Sequence, residues 1–305
     1  MKIWKGGARV RNKKSEWAYR LMTLPGLLLL VLFCYVPMGG IIMAFENYVP
    51  SRGILGSEWV GLENFRYLFS MPDVSQVIGN TVIIAVSKMV LGIAVPVAFA
   101  ILLNEVCSVG FRRVVQTIVY LPNFISWVIL GTIFQQMFSA NGLVNTFVQS
   151  LGFEAIPFLS SGPIFRALVI LTDCWKGFGF GTIVYLAAIL SISPDLYEAA
   201  TIDGANRFQR ILHVTLPGML STIVLMGTLS LGNVLNAGFD QIFNMYNIMV
   251  YDYADIIDTY VYRIGLISMQ YSLSTAVNLF KSVVSCGLTA TAYIMASKFA
   301  NYRIF

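Results

Sequence analysis

The sequence predicts an all-α polytopic membrane protein with six transmembrane helices. Three observations carry that expectation. The chain of 305 residues is 57% hydrophobic and only 11% charged, whereas a soluble domain carries about 25% charged residues. Six apolar stretches are long enough to cross a bilayer, which takes roughly 20 residues. They lie near 21–45, 78–103, 114–138, 164–190, 214–236 and 273–296. Lys and Arg are spread unevenly over the segments between them.

Residues 1–20 form a basic segment holding Lys2, Lys5, Arg9, Arg11, Lys13, Lys14 and Arg20. A charged start before an apolar run is the form of a secretory signal. Here the apolar run is too long and no small-residue cleavage site follows, so it reads as a retained anchor. Residues 21–305 then form the transmembrane domain. With the N-terminus inside, cytoplasmic segments hold thirteen Lys and Arg residues: the seven above plus Arg112, Arg113, Arg207, Arg210, Lys298 and Arg303. The outer segments hold three, Arg52, Arg66 and Arg263. That bias places both termini in the cytoplasm. It also makes the net charge of +5 a topology signal facing anionic lipid, not a nucleic-acid patch. The outer stretches 46–77 and 237–272 are long enough to fold over a pore mouth, and 139–163 has room for a short interfacial helix.

Between the fourth and fifth spans the chain turns polar, from Tyr197 to Pro217. Ser193-Pro194-Asp195 is a helix start: a capping hydroxyl, a proline at the first helical position and an acid at the positive dipole end. Tyr197, Ala200, Gly204, Phe208 and Ile211 recur at spacings of three and four, an apolar stripe on a helix expected over 194–212. A glycine within a helix costs about 1 kcal/mol against alanine. Gly204 therefore marks a bend or a close approach of another surface.

The spacing here is specific. Glu198-Ala199-Ala200, three residues, Gly204, nine residues, then Val214-x-Leu216-Pro217 resembles the cytoplasmic signature of binding-protein-dependent ABC importer permeases. Only Val214 departs, where the family pattern has Ile. The flanking Tyr197, Asp203 and Ala205 resemble the carbohydrate and oligosaccharide branch. The resemblance implies a type I importer permease fold: a five-helix core like that of methionine importers, plus an N-terminal helix. It implies that 194–212 is a coupling helix docking in a groove on a cytoplasmic ATPase, with Gly204 allowing close packing and Glu198 meeting a basic group. It further implies a second homologous permease, two ATPase subunits and an extracytoplasmic solute-binding protein.

Nothing in the chain supplies the energy. No GxxxxGK[ST] run occurs, so no phosphate-cradling loop is expected; ATP and Mg would sit on the partner subunits, leaving this chain without cofactor. Cys34, Cys107, Cys174 and Cys286 are scattered, as apolar fillers are. The one histidine, His213, reads as a boundary residue, and no metal site or catalytic cluster is expected. Two rivals stand beside a carbohydrate importer: an ABC permease for another polar solute, such as a polyamine or phosphate ester, and an ion-coupled secondary carrier. The carrier usually shows inverted halves and broken spans, and no convincing pair is visible.

Polar groups within spans mark pathways. Span five offers Ser230, Asn233 and Asn236 with Asp240 beside them, Ser230, Asn233 and Ala237 sharing a helical face. Span six offers Asn278, Lys281, Ser282 and Ser285. Span four brings Asp173, Trp175, Lys176, Gly177 and Phe180, the run after Trp175 resembling the substrate-lining part of sugar permeases. Span three brings Asn123, Trp127, Gln135 and Gln136. Amides pair with sugar hydroxyls and rings stack on sugar faces; interhelical hydrogen bonds account for such residues equally well. Lys88, Asp173, Lys176 and Lys281 sit about 12–18 Å deep at 1.5 Å per residue. One acid cannot neutralise three lysines. The expected pairing is Asp173 with Lys88 or Lys281, other carboxylates coming from the second permease. A sharper expectation is a pore favouring acidic, uronate-bearing glycans.

Overall fold

The computed structural model describes residues 13–299. Lys2, Lys5, Arg9, Arg11 and Arg303 lie outside the described residues, as do the side chains of Lys13, Lys14 and Lys298.

The described residues are mostly helical, with one two-stranded ribbon pairing Glu46–Asn47 with Glu58–Trp59. Among the described residues, three helices are long and apolar enough to cross a membrane: Tyr19–Phe45, Pro72–Asn104 and Gly162–Leu190. The last two pack side by side as the central pair. Gly179 makes room on the same helix for the chain's third hydrophobic segment, since a Cβ there would sit 2.1 Å from the Val119 carbonyl oxygen. Thr182 reaches across to the Pro96 carbonyl at 3.5 Å. Around this pair lies the main core, built from Ile84, Phe165, Val169, Ile242 and Ile256 among others. The N-terminal helix is largely unburied in the single chain, and its exposed Leu and Phe side chains suit lipid or a second subunit.

Two expected spans are not straight crossings. The segment expected over 114–138 is two helices, Val109–Tyr120 and Trp127–Met137, whose elements meet at 100°. Pro122, in the linking turn Leu121–Phe124, cannot donate to a helical ladder, and Ser126 caps the second helix by accepting from Ile129 N at 3.4 Å. The segment expected over 214–236 bends by 55° between Arg207–Gly218 and Leu220–Gly232 and ends at Gly232. Asn233, Asn236 and Ala237 therefore lie beyond the helix, not on its face. Counting each bent pair as one span gives up to five candidates among the described residues. Tyr271–Phe299 is long enough, at 29 residues, but Asn278, Lys281, Ser282 and Ser285 lower its hydropathy.

The stretches expected outside are folded and held by side-chain hydrogen bonds. Asn64 Nδ2 donates to the carbonyls of Ala44 and Glu46 at 2.9 and 3.0 Å, closing the ribbon over the first helix. The expected short helix in 139–163 is Leu143–Ser150, anchored by buried Asn145 to the backbones of Ser139 and Ile156. In 237–272, Arg263 pairs with Asp255 at 2.5 Å and lies over the rings of Tyr251 and Tyr260. Burial pushes the Asp255 carboxyl up, and its bonds to Arg263 and Thr259 pull it back.

Candidate functional site

The polar arm between the fourth and fifth hydrophobic segments begins as expected. Ser193 accepts from Asp195 N at 3.3 Å, with Pro194 at the helix start. The arm is not one helix, however. Pro194–Ile202 stops, and Gly204 takes a left-handed conformation, φ +76°. Gly204 N donates to Thr201 O at 3.1 Å and Ala205 N to Ala200 O at 2.9 Å, a Schellman-type ending. A new turn, Arg207–Arg210, starts at Asn206 with a reciprocal capping box to Gln209. The expected continuous stripe is thereby split: Tyr197, Ala200 and Ile211 are half-buried, whereas Gly204 and Phe208 are exposed.

Tyr197 OH bonds the Thr215 hydroxyl at 3.0 Å, tying the motif's two ends together. Leu216 and Pro217 then sit where the chain re-enters the helical bundle, Leu216 half-buried and Pro217 exposed. Glu198, Ala199 and Asp203 are exposed, and so are Leu196, Ile202 and Phe208. A short arm with exposed acidic and apolar groups is the form of a docking element.

The second region is a cavity of about 400 Å³ lined by Lys88, Asp173, Ser230, Asn233, Asn236 and Gly238 among others. Lys88 organises it. Its ammonium pairs with Asp173 at 3.5 Å, donates to the Ala237 carbonyl at 2.7 Å and bonds Gln241 Oε1. Gln241 is fully buried; its amide donates to Val169 O and Thr172 Oγ1 at 2.7 and 2.9 Å. This glutamine holds the unwound segment after Gly232 against the central pair. Sequence reasoning passed it over for the adjacent Asp240, which is exposed; the one available signal was an amide next to an apolar run.

The remaining expected residues divide. Lys281 pairs with Asp258 at 2.5 Å and donates to Asn236 Oδ1 at 2.8 Å, so Asp173 belongs to Lys88 and the partner of Lys281 comes from a segment read as outer loop. Lys176 donates to the Asn123 carbonyl at 2.9 Å and lies over the Trp127 ring. Phe180 is exposed, edge-to-face with Phe124, and Gly177 has open space where a Cβ would point. Trp175 lies apart from the polar cavity, packed on Phe134 beside an apolar cleft. Asn278 is exposed outside the cavity. Gln135 is structural, donating to the backbones of Asn244 and Met245. Among the described residues no His, Cys, Asp and Glu cluster is arranged to hold a metal.

Comparison with known proteins fits this geometry. Residues 89–239, which include the arm and all the cavity-lining residues except Ala85 and Lys88, match the family described as binding-protein-dependent transport system inner membrane component. The chain is 43% identical over 286 residues to the polygalacturonan/rhamnogalacturonan transport system permease protein YteP of Bacillus subtilis, covering 93% of this chain and 89% of that one. The chain belongs to this family. The permease also superposes on a bacterial ABC transporter involved in import of the acidic polysaccharide alginate. That match has TM-score 0.87 and 38% identity, covering 94% of this chain and 97% of that one. A second structure, of the alginate transporter in complex with an alginate pentasaccharide-bound periplasmic protein, matches with TM-score 0.88 and 37% identity, covering 95% and 98%. The chain is thus a multi-pass transport component with the type I importer fold.

Proposed function

We propose that this permease is a pore subunit of an ATP-driven importer of oligosaccharides, and that its cargo is acidic, of the uronate-bearing class. The observation that carries the reading is similarity along nearly the whole chain to a permease for polygalacturonan and rhamnogalacturonan and to an alginate importer. Of the three mid-depth lysines behind the expected acidic preference, Lys88 and Lys281 pair with Asp173 and Asp258, so that expectation now rests on Lys176.

In this reading both termini are cytoplasmic and the arm at 194–212 faces inward. It docks on one of two ATPase subunits, which carry ATP and Mg; this chain is not itself an enzyme. A second, homologous permease completes the pore, and an extracytoplasmic binding protein delivers the glycan to the outer segments. Nucleotide binding to the ATPases favours one of two global states, and the rigid arm carries that bias into the helices.

The test is uptake of a labelled trigalacturonate by cells holding the full transporter. Uptake that requires a hydrolysis-competent ATPase and survives collapse of the ion gradients supports the reading. Uptake that follows the ion gradient and ignores the ATPase refutes it. Orientation is checked separately with Gln209→Cys, which should resist a membrane-impermeant thiol reagent applied to intact cells.

A further inference from the structure

Four cationic side chains sit in or at the edges of the hydrophobic segments, and three of them are satisfied within this chain. Lys88 has Asp173, a carbonyl and the Gln241 amide. Lys281 has Asp258 and Asn236. Arg166 bonds Asn80 Oδ1 at 2.5 Å and the Tyr253 carbonyl at 2.9 Å, and lies over the Tyr253 ring. Lys176 differs. Its ammonium meets one backbone carbonyl, Asn123 O at 2.9 Å, and the face of Trp127 with the ring centroid at 5.5 Å. Among the described residues no carboxylate lies within ion-pair distance of it.

An ammonium has three donors, and one is used here. A charge in the middle of a membrane helix without a counter-charge is costly and marks a pathway by default. Lys176 lies near the centre of Gly162–Leu190, about 21 Å along it at 1.5 Å per residue. Its surroundings suit a sugar acid. Gly177 beside it has nothing within 4 Å of a Cβ position, leaving space. Phe180, one turn on, is 48% exposed and stands edge-to-face with Phe124, 73% exposed, so ring surface is open for an apolar sugar face.

We propose that Lys176 is the residue that reads the carboxylate of the passing glycan, held in position by the Trp127 face and the Asn123 carbonyl. This rests on the reading of the cargo as an acidic oligosaccharide. The incoming carboxylate supplies the counter-charge that Lys176 lacks, and the Trp127 face keeps the ammonium aimed without neutralising it. An ion pair formed only with cargo gives selectivity for acids over neutral glycans of the same shape.

The experiment compares uptake of trigalacturonate with that of its neutral methyl ester by the assembled transporter. In Lys176→Gln the ratio of acid to ester uptake falls at least tenfold, and Lys176→Arg keeps most of it. A second variant, Lys176→Cys with the four native cysteines replaced by serine, recovers acid uptake when modified by an aminoethyl thiol reagent, which restores the positive charge. A sulfonate reagent does not restore it. Equal loss of acid and ester in Lys176→Gln overturns the proposal and points to pairing with a carboxylate of the second permease. Undiminished acid uptake overturns it as well. Where the wild type carries the acid but not the ester, reagent rescue decides, and its failure overturns the proposal. A wild-type transporter that imports neither form refutes the cargo reading itself.

Discussion

Replacing Gly204 separates two accounts of the arm. In one, the glycine is there because a partner groove presses on it. In the other, it is there because the backbone turns left-handed, φ +76°, to end Pro194–Ile202 and start the turn at Arg207. A Cβ at this position meets nothing within 4 Å, so within this chain alanine costs only its backbone conformation. That cost is about 1–2 kcal/mol for an L-residue, a factor of about 5–30 in the population of the native turn. Asparagine enters the same region more readily, and a β-branched residue least readily. The expected order of ATPase affinity for the purified permease pair is therefore Gly204, then Asn, then Ala, then Val, with Ala weakened about fivefold or more. Affinity is read by titrating labelled ATPase subunit onto detergent-solubilised permeases. Groove packing demands the reverse for the middle pair, because alanine is the smaller side chain. Alanine binding as well as glycine, with asparagine impaired, would refute the backbone account.

Four further outcomes are expected. Gly179→Val should abolish assembly and Gly179→Ala should lower the thermal midpoint of the solubilised protein, because an added Cβ lies 2.1 Å from the Val119 carbonyl oxygen and overpacking costs about 1–3 kcal/mol. Lys88→Met strands Gln241, the Ala237 carbonyl and Asp173 together; a loss of about 1–3 kcal/mol should appear as faster hydrogen exchange in 233–241, and no change there would count against the hub. Lys281→Met should reduce acidic and neutral glycan uptake alike, because Asp258 already compensates its charge; selective loss of the acid would mean that the pair opens for cargo. In a double-mutant cycle, Lys281→Met and Asp258→Asn should couple by about 0.5–3 kcal/mol in unfolding, and simple additivity would refute the contact.

Helix existence was legible in the sequence; helix continuity was not. The long apolar runs of Pro72–Asn104 and Gly162–Leu190 announce themselves because their few charges are outweighed by apolar residues along their length. The break at Leu121–Ser126 is invisible to that signal, since Leu121, Phe124 and Ile125 keep the run apolar through a 100° bend. Only Pro122 and the capping hydroxyl of Ser126 betray it. The same holds at Gly204, where the spacing of apolar residues continues through a helix end and the glycine was the only warning. The depth of the lysines was readable and their partners were not, because Asp258 lies in a segment that hydropathy assigns to the outside and tertiary packing brings within 2.5 Å of Lys281.

The breaks and the lysines answer one requirement. Backbone polar groups inside a membrane protein need partners wherever a helix is interrupted. The interruption at Leu121–Ser126 places the Asn123 carbonyl within reach of Lys176. The unwinding after Gly232 does the same for the Ala237 carbonyl and Lys88, and it presents the Asn236 side chain to Lys281. Each lysine of the hydrophobic segments thus serves a place where the chain leaves helical geometry, which is why three cations are tolerated where one intramembrane acid was apparent. A carbonyl oxygen satisfies a donor without cancelling its charge. Two of the three lysines also hold a carboxylate of this chain and are neutral in sum. Lys176 holds no carboxylate among the described residues, so the broken third segment both satisfies its own backbone and leaves one lysine without an ion-pair partner in this chain.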